Sequence, residues 1–253
     1  FLVSWRNPQA ELGHLGWDDY VEKGALQALD VTREVSGADK VNALGFCVGL
    51  AVALILTGGE HAYRGHIEGQ LLGSLILPAV GVIDDRKALS ARSKLPFQIL
   101  AATVAIYYGF RIDHLTDPFS LQAWKFPEPV VWIVTGLWIV GITNAMNLMD
   151  GLDGLAAGIG CIIGATLTFI AFQADETVGV FTGLAFLGAL LGFLPYNFPP
   201  ARIFLGDTGA LFIGFNLSLL ALEGYRKVSV LTFVVPLLAL AVPLMDTALS
   251  IYR

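Results

Sequence analysis

Long apolar runs alternate with short polar stretches along most of the chain, beginning after Lys40. Each run is long enough, or nearly long enough, to cross about 30 Å of hydrocarbon as a helix. The runs lie at about 41–58, 68–84, 95–111, 129–149, 154–173, 177–196, 207–223 and 228–251. The pattern therefore predicts an all-α fold, a polytopic transmembrane helical bundle with at least eight spans.

Residues 1–40 are polar and contain no run of this kind. We therefore predict a solvated or interfacial N-terminal segment at 1–40, followed by a transmembrane domain at 41–253. Because the chain opens on Phe1 and ends an apolar run at Arg253, we expect it to be part of something longer, with this domain incomplete at its C-terminus.

The composition agrees with a membrane protein. Hydrophobic residues make up 55% of the chain and charged residues 14%, and the mean hydropathy is +0.69. A soluble domain carries about a quarter charged residues. The net charge of −6 gives no indication of nucleic-acid binding. Cys47 and Cys161 lie inside apolar runs, where a thiol behaves as a small hydrophobe, so a disulfide framework is not expected.

Small residues recur at a spacing of four inside several predicted spans. This spacing lets helix backbones approach closely in lipid, so we expect helix packing at these glycines. The pairs are Gly154/Gly158, Gly160/Gly164 and Gly188/Gly192.

Six aspartates lie at or near the ends of the predicted spans, and an even number of spans separates each group from the next. Acidic side chains near hydrocarbon are costly and usually functional. The even spacing predicts that all six lie on one side of the membrane, where they suggest a metal-dependent site. They are Asp84, Asp85, Asp150, Asp153, Asp207 and Asp246.

The basic residues predict which side this is. If the loop 85–94 is cytoplasmic, that side receives ten of the 15 Lys and Arg residues. An excess of Lys and Arg marks cytoplasmic loops. We therefore expect the aspartates, and the active site, to face the cytoplasm.

Asp84 and Asp85 are adjacent carboxylates at a span end, followed by Lys94 in a basic loop. Neighbouring carboxylates repel each other unless a cation or a proton relieves them. Mg²⁺ accepts one or two carboxylates together with water and phosphate oxygens, and the basic residues could hold a phosphate. An interfacial helix end followed by a cytoplasmic basic loop is the alternative interpretation.

A second motif, NAMNLMDGLDGLAAG at 144–158, places Asn144, Asn147, Asp150 and Asp153 at every third position. Steps of three drift around an ideal helix, so one unbroken helix would not align the four side chains. Gly151 and Gly154 can interrupt the helix and turn these groups toward one point. Their oxygens suit a hard metal or a polar base, although helix termination alone would explain Asp150.

Two further segments carry acidic groups. In 197–215, Asp207 and Thr208 can cap the helix that follows, whereas Phe204 could be a stacking surface for a base. In 242–253, Asp246 lies inside an apolar stretch and needs a partner, for which a helix–helix hydrogen bond is the simplest explanation.

Four blocks of the sequence together resemble the polyprenyl-phosphate N-acetylhexosamine-1-phosphate transferases, the glycosyltransferase 4 family of WecA, TagO and MraY. KLPFQ and the closing PLMDT…R block look more like the WecA/TagO branch. The blocks, from about residue 70 to 253, are GVIDDRKALSARSKLPFQILAA, NAMNLMDGLDGLAAG, FLPYNFPPARIFLGDTGALFIGF and VPLMDTALSIYR.

The resemblance implies roles for individual residues. Asp84 and Asp85 match an aspartate pair that handles or deprotonates the lipid phosphate, and Asp150 belongs to the same catalytic cluster. Asn147 and Asp207 match Mg²⁺ ligands. The residues assigned to substrate binding are Asp153 and Phe204 at the uracil, Lys94 at a phosphate, and Asn144, Asp246 and Arg253.

The implied reaction transfers N-acetylhexosamine-1-phosphate, most often GlcNAc-1-phosphate, from a UDP-sugar to undecaprenyl phosphate. UMP leaves, Mg²⁺ is required, and the product starts a cell-envelope glycan such as lipopolysaccharide or teichoic acid. The implied location is a bacterial inner membrane, and a homodimer stays open. The alternatives are a phospho-MurNAc-pentapeptide transferase, a catalytically inactive relative, and a cation-coupled membrane transporter, in which acidic groups bind the ion near the midplane.

Overall fold

The computed structural model describes residues 61–87, 91–116 and 123–225. Within these ranges the chain forms six helices, and each coincides with a predicted span. They are α1 His61–Lys87, α2 Ala91–Tyr107, α3 Glu128–Met149, α4 Leu155–Gln173, α5 Thr177–Asn197 and α6 Gly206–Tyr225. The polar segment 1–40, its boundary with the transmembrane domain, and the predicted spans 41–58 and 228–251 lie outside the described residues.

Helix α6 is at the centre of the described bundle. It packs most extensively against α1 and α3, and also contacts α4 and α5. From Ala210 to Glu223 every side chain except that of Phe212 is buried. Helix α2 packs against α1 and α3 at the side of the bundle, and α4 pairs with α5. The residues at the N-terminus of α6 are therefore surrounded by the ends of the neighbouring helices.

Three of the described helices, α3, α4 and α5, are long and apolar enough to cross a membrane, judged by length and composition. Large apolar side chains on these helices point outward: Leu137 is 69% exposed, Ile162 70% and Phe169 62%. Such surfaces are unfavourable in water and suit lipid. Helix α2 is shorter, at 17 residues, while α1 and α6 carry buried polar side chains along the surface they share.

The prediction of an all-α chain is wrong in one place. Residues 114–116 (β1) and 123–125 (β2) form a two-stranded antiparallel sheet, in which Leu115 lies opposite Trp124. Strands of three residues are too short to show a period-two pattern, so the segment between two predicted spans gave no strand signal. The hairpin lies between α2 and α3 along the chain.

Buried polar side chains join α1 to α6. Gln70 Nε2 and Ser74 Oγ both donate to Asn216 Oδ1, at 2.9 Å and 3.1 Å. Nearer the start of α1, His66 Nδ1 lies 2.6 Å from Glu223 Oε1. Buried polar groups that satisfy one another specify the alignment of two helices, since a shift along the axis would leave them without partners.

This alignment determines which residues meet at the far end of the two antiparallel helices. Asp84 lies ten residues after Ser74, and Asp207 lies nine residues before Asn216. At 1.5 Å per residue, these distances are about 15 Å and about 14 Å. The contact between Ser74 and Asn216 therefore brings Asp84 to the same level as Asp207.

Glycines on α1 allow the close approach of α6. A Cβ atom built at Gly81 would lie 2.4 Å from the Cα of Thr208, and one built at Gly73 would lie 2.2 Å from the Phe215 ring. Neither contact is compatible with a side chain unless the helices or the ring move. The contact at Gly81 is with backbone, three residues before Asp84.

The predicted packing role of the spaced glycines is confirmed for one pair. A Cβ at Gly160 would lie 3.1 Å from Ile213, and one at Gly164 would lie 3.0 Å from the Phe186 ring. For three other glycines, no atom of the described residues lies within 4 Å of the Cβ position, so their packing role stays a prediction. These are Gly158, Gly188 and Gly192.

Candidate active site

Four polar side chains from four helices meet at one end of the bundle. Lys94, in the first turn of α2, places its Nζ 2.5 Å from Asp84 Oδ2 and also donates to Asp207 Oδ2. Asn147, near the end of α3, donates from Nδ2 to Asp207 Oδ1 at 2.9 Å. The convergence of Asp84 with Asp207, which the spacing of the spans predicted, is confirmed.

Charge is only partly balanced in this cluster. The side chains of Asp84 and Lys94 are 7% and 14% exposed, whereas Asp207 is 33% exposed. Among these four described side chains, two carboxylates share one ammonium group, so their summed charge is negative. Although burial opposes the charged form of the amine, hydrogen bonds and charges from Asp207 and Asp84 outweigh burial and raise the pKa of Lys94 above its ordinary value.

Helix α6 presents Asp207 at its N-terminus. Gly206 adopts a φ of +63°, a left-handed conformation that suits glycine, and it turns the chain into the helix. A carboxylate in the first turn is favoured by the helix dipole. Asp207 does more than cap this helix, because its two carboxylate oxygens accept hydrogen bonds from the side chains of Lys94 and Asn147 on other helices.

The predicted interruption in the Asn/Asp motif is confirmed. Helix α3 ends at Met149 with Asp150 at its C-cap, and α4 begins at Leu155 after Gly154, which has a φ of +74°. The break separates the motif into two parts. Asn147 stays on α3 beside Asp207, while Asp153 lies in the connecting turn.

Asp153 and Asn197 connect this turn to the loop between α5 and α6. Asp153 Oδ2 accepts a hydrogen bond from the Ala201 backbone N–H at 3.1 Å. Asn197 Oδ1 accepts one from the Gly154 N–H at 3.1 Å, and its Nδ2 donates to the Ile203 carbonyl at 3.0 Å. These bonds fix the loop that carries Phe204, whose side chain is 39% exposed.

Asn197 is not among the site residues predicted from the sequence, although the sequence contains a feature that points to it. Asn197 is an amide side chain at the end of an apolar helix, next to Phe198 and two prolines, and it is buried at 2% exposure. A buried amide almost always has hydrogen-bond partners. Its position beside a Pro-Pro turn therefore pointed to a role in shaping the loop.

Asn144, which the sequence placed among the substrate-binding residues, pairs with a second residue that sequence reasoning missed. Its Nδ2 donates to Gln98 Oε1 on α2 at 2.6 Å, and Gln98 Nε2 donates back to Asn144 Oδ1 at 3.2 Å. The pair lies about one helical turn from Lys94 and Asn147 along α2 and α3.

The structure does not describe the side chains of three predicted site residues. Asp85 lies in the last turn of α1, and only its backbone is described. Asp246 and Arg253 lie outside the described residues. Their assigned roles stay predictions.

The cluster offers oxygen donors that could hold a hard divalent ion. Within the described ranges, no three His, Cys, Asp or Glu side chains lie close enough together to hold a metal ion. Mg²⁺ commonly takes one or two carboxylates and completes its shell with water and substrate phosphates. Asp84 and Asp207, with the amide of Asn147, supply oxygen donors of this kind.

The fold and the site together define a class of protein. The chain is a helical membrane protein with a polar, predominantly acidic cluster assembled from helix ends. The chain belongs to the family described as Glycosyl transferase family 4, whose profile matches residues 68–225.

Individual relatives agree with this family. The chain is 38% identical over 210 residues to a probable undecaprenyl-phosphate N-acetylglucosaminyl 1-phosphate transferase of Bacillus subtilis, covering 81% of the chain and 58% of that protein. It is 32% identical over 247 residues to a decaprenyl-phosphate N-acetylglucosaminephosphotransferase of Mycolicibacterium smegmatis, covering 87% of the chain and 61% of that protein.

A phospho-N-acetylmuramoyl-pentapeptide-transferase of Latilactobacillus sakei is 38% identical over 149 residues, which cover 56% of the chain and 45% of that protein. The chain thus spans between 45% and 61% of the lengths of these three relatives.

Proposed function

We propose that this chain carries the catalytic centre of a Mg²⁺-dependent transferase. It would move N-acetylhexosamine-1-phosphate, most often GlcNAc-1-phosphate, from a UDP-sugar to undecaprenyl phosphate. The observation that carries the proposal is the meeting of Asp84, Lys94, Asn147 and Asp207 at one end of a membrane-type bundle of this family.

The reaction exchanges one phosphorus–oxygen bond for another. An oxygen of the lipid phosphate forms a bond to the sugar-linked phosphorus of the UDP-sugar. The bond from that phosphorus to the bridging oxygen breaks, and UMP leaves with the bridging oxygen and its electron pair. The product is a lipid-linked sugar diphosphate. Such a transfer depends mainly on holding the reacting groups in line and on neutralising their charge.

The side chains of the cluster suit these tasks. The Lys94 amine is positively charged, since its pKa is raised above the ordinary value, and it would bind a substrate phosphate. Asp84 is the buried carboxylate, and with Asp85 and Asp150 it would orient or deprotonate the lipid phosphate. Asn147 holds the carboxylate of Asp207 by a hydrogen bond of 2.9 Å.

Asp207 and Asn147 would hold the Mg²⁺, which when bound supplies charge neutralisation for the diphosphate and for the departing UMP. Asp207 is the more exposed carboxylate of the cluster, which supports its use in an open site that a nucleotide can reach. Phe204 and Asp153 would contact the uracil. The exposed ring and its loop, held by Asp153 and Asn197, support that assignment.

The membrane setting follows from the two substrates. An acceptor phosphate must reach the cluster while its isoprenoid tail stays in lipid, and a UDP-sugar is supplied from the cytoplasm. We therefore assign the cluster to the cytoplasmic face of a bacterial inner membrane, within a transmembrane domain over 41–253. The product would start a cell-envelope glycan, with a homodimer as one arrangement to test.

GlcNAc is favoured over MurNAc-pentapeptide by the extent of the likeness. The Bacillus subtilis relative, named for N-acetylglucosaminyl 1-phosphate transfer, matches 81% of the chain, against 72% and 56% for the pentapeptide-transferases of Desulforudis audaxviator and Latilactobacillus sakei. A cation-coupled transporter is disfavoured because Asp84 and Asp207 lie at helix ends rather than midway along the bundle.

The direct test is UMP release by the purified protein in detergent, with undecaprenyl phosphate and a panel of UDP-sugars. We expect UDP-GlcNAc to release UMP and to yield a lipid-linked product with one sugar phosphate added. UMP release with UDP-MurNAc-pentapeptide alone would move the chain to the other branch. No UMP with any member of the panel, together with cation uptake into proteoliposomes, would contradict the transferase.

Metal removal gives a second test. We expect EDTA to reduce UMP release to background and Mg²⁺ to restore it, because the site retains negative charge that must be balanced near a diphosphate. Lys94 alone cannot neutralise both carboxylates and the substrate. Full turnover in excess chelator would show that transfer proceeds without a divalent ion.

A further inference from the structure

Gln98 is the one buried polar side chain of α2 within the described residues, at 3% exposure. Both polar atoms of its amide are used by Asn144 of α3, through a reciprocal pair at 2.6 Å and 3.2 Å. The Asn144 amide also donates to the Val140 carbonyl of its own helix at 2.8 Å. The two amides therefore satisfy each other within the bundle.

The Gln98–Asn144 pair lies about one helical turn from the acidic cluster, along both α2 and α3. Gln98 follows Lys94 by four residues on α2, and Asn144 precedes Asn147 by three residues on α3. Residues three or four apart share a helix face. Lys94 and Asn147 both bind Asp207. Helices α2 and α3 are thus connected twice, once through Asp207 and once through the amide pair.

The second connection matters because Lys94 stands in the first turn of α2, which begins at Ala91. First-turn backbone N–H groups have no partner within the helix, so this turn is held mainly by what its side chains bind. A slide of α2 by one residue would move Lys94 by about 1.5 Å and separate both amide hydrogen bonds. A displacement of about 1 Å in a positioned group can cost about 100-fold in rate.

We propose that Gln98 is a positioning residue for Lys94. Its amide pair with Asn144 sets the height of α2 against α3 and thereby holds the Lys94 amine between Asp84 and Asp207. The contribution of the pair to the reaction rests on the proposed function. Asn144 then acts through Gln98, and not by contact with substrate.

The experiment exploits the unequal lengths of the two amides. Gln98→Asn shortens the pair and Asn144→Gln lengthens it, while the double variant keeps the combined length with the two side chains exchanged. The matched control is Gln173→Asn, the same change at an exposed position at the end of α4. A thermal unfolding midpoint for each protein shows which variants remain folded.

The first readout needs no enzymatic activity. An amine-acetylating reagent is added for a fixed time, and the modification of Lys94 is measured by peptide mass spectrometry. Because the Lys94 side chain is only 14% exposed and its ammonium is bound by two carboxylates, we expect slow labelling in the wild type and in Gln173→Asn. We expect several-fold faster labelling in each single variant and near wild-type labelling in the double variant. Equal labelling in all folded variants would overturn the proposal.

The second readout is UMP release under the same conditions. We expect each single variant to lose about 10- to 100-fold in kcat/KM, with recovery in the double variant. In a Lys94→Arg background, Gln98→Asn should cost less than in the wild type, since both changes act on the same group. Losses that simply multiply, or that follow unfolding midpoints, would overturn the positioning role. If the wild type releases no UMP, the proposed function fails while the labelling result still decides whether Gln98 positions Lys94.

Discussion

Replacing Asp207 by asparagine is expected to reduce transfer by about 100- to 1,000-fold or more, because the change removes charge that the reaction needs and leaves side-chain size almost unchanged. Lys94 would retain Asp84 as its only anionic partner in the described cluster, and the site would lose the carboxylate we assign to the metal. Asp84→Asn should have a comparable effect. UMP release at saturating Mg²⁺ measures both variants.

The fold should survive these changes. Asp207 is a third exposed, and its contacts lie at the end of α6, whose remaining length is buried among other helices. The matched control is Asp175→Asn, an exposed aspartate in the turn between α4 and α5. Its φ of 54° is a left-handed value that asparagine adopts as readily as aspartate. Wild-type turnover in Asp207→Asn, beside wild-type turnover in the control, would refute the assigned catalytic centre.

The meeting of Asp84 with Asp207 could be predicted because it follows from chain direction alone. An even number of spans between Asp84 and Asp207 requires them to lie at the same end of an up-and-down bundle, whatever the details of packing. The Asn/Asp motif was predictable for a local reason, since Gly151 and Gly154 mark where a helix can break. Both inferences used features visible within a short window of sequence or a simple count.

The polar contacts inside the bundle could not be predicted in this way. Gln98 meets Asn144 across 46 residues, and Gln70 meets Asn216 across 146. Each is a single amide in an apolar run, which shows that it needs a partner and leaves the identity of that partner open. The partner depends on which helices are neighbours and on their relative height, and both are determined by packing over the whole helix length.

The glycines illustrate the same limit. A spacing of four places two glycines on one face of a helix but does not show which face meets a neighbour. Gly160 and Gly164 face other helices, whereas Gly188 and Gly192 face none of the helices in the described part of the chain. Gly81, which has no glycine four residues away, makes the closest backbone approach of these glycines. The spacing rule overlooked it because its partner is Thr208 on α6.

Gly81→Ala is therefore expected to reduce kcat/KM by about 100-fold, the second of the two largest effects. The new methyl group would lie 2.4 Å from Thr208 Cα, 2.7 Å from its Oγ1 and 2.8 Å from its backbone N. Backbone atoms cannot rotate away, so α1 must move from α6 by about 1 Å to reach ordinary contact. Asp84 is three residues after Gly81, and Asp207 immediately precedes Thr208, so the two carboxylates separate.

Two further glycine variants distinguish this effect from general destabilisation. Gly136→Ala places its methyl group where no atom of residues 61–87, 91–116 or 123–225 lies within 4 Å, so activity and unfolding midpoint should remain near those of the wild type. Gly73→Ala meets the buried Phe215 ring at 2.2 Å. Gly73 lies about three helical turns, or about 16 Å, from Asp84 along α1. The substitution should lower the unfolding midpoint as overpacking does, by about 1–3 kcal/mol in stability, while the folded fraction keeps more activity than Gly81→Ala. Gly81→Ala and Gly73→Ala can be compared by the activity that each loses per kcal/mol of lost stability. If this ratio is the same for both, the distance between α1 and α6 at Gly81 does not determine the geometry of the acidic cluster.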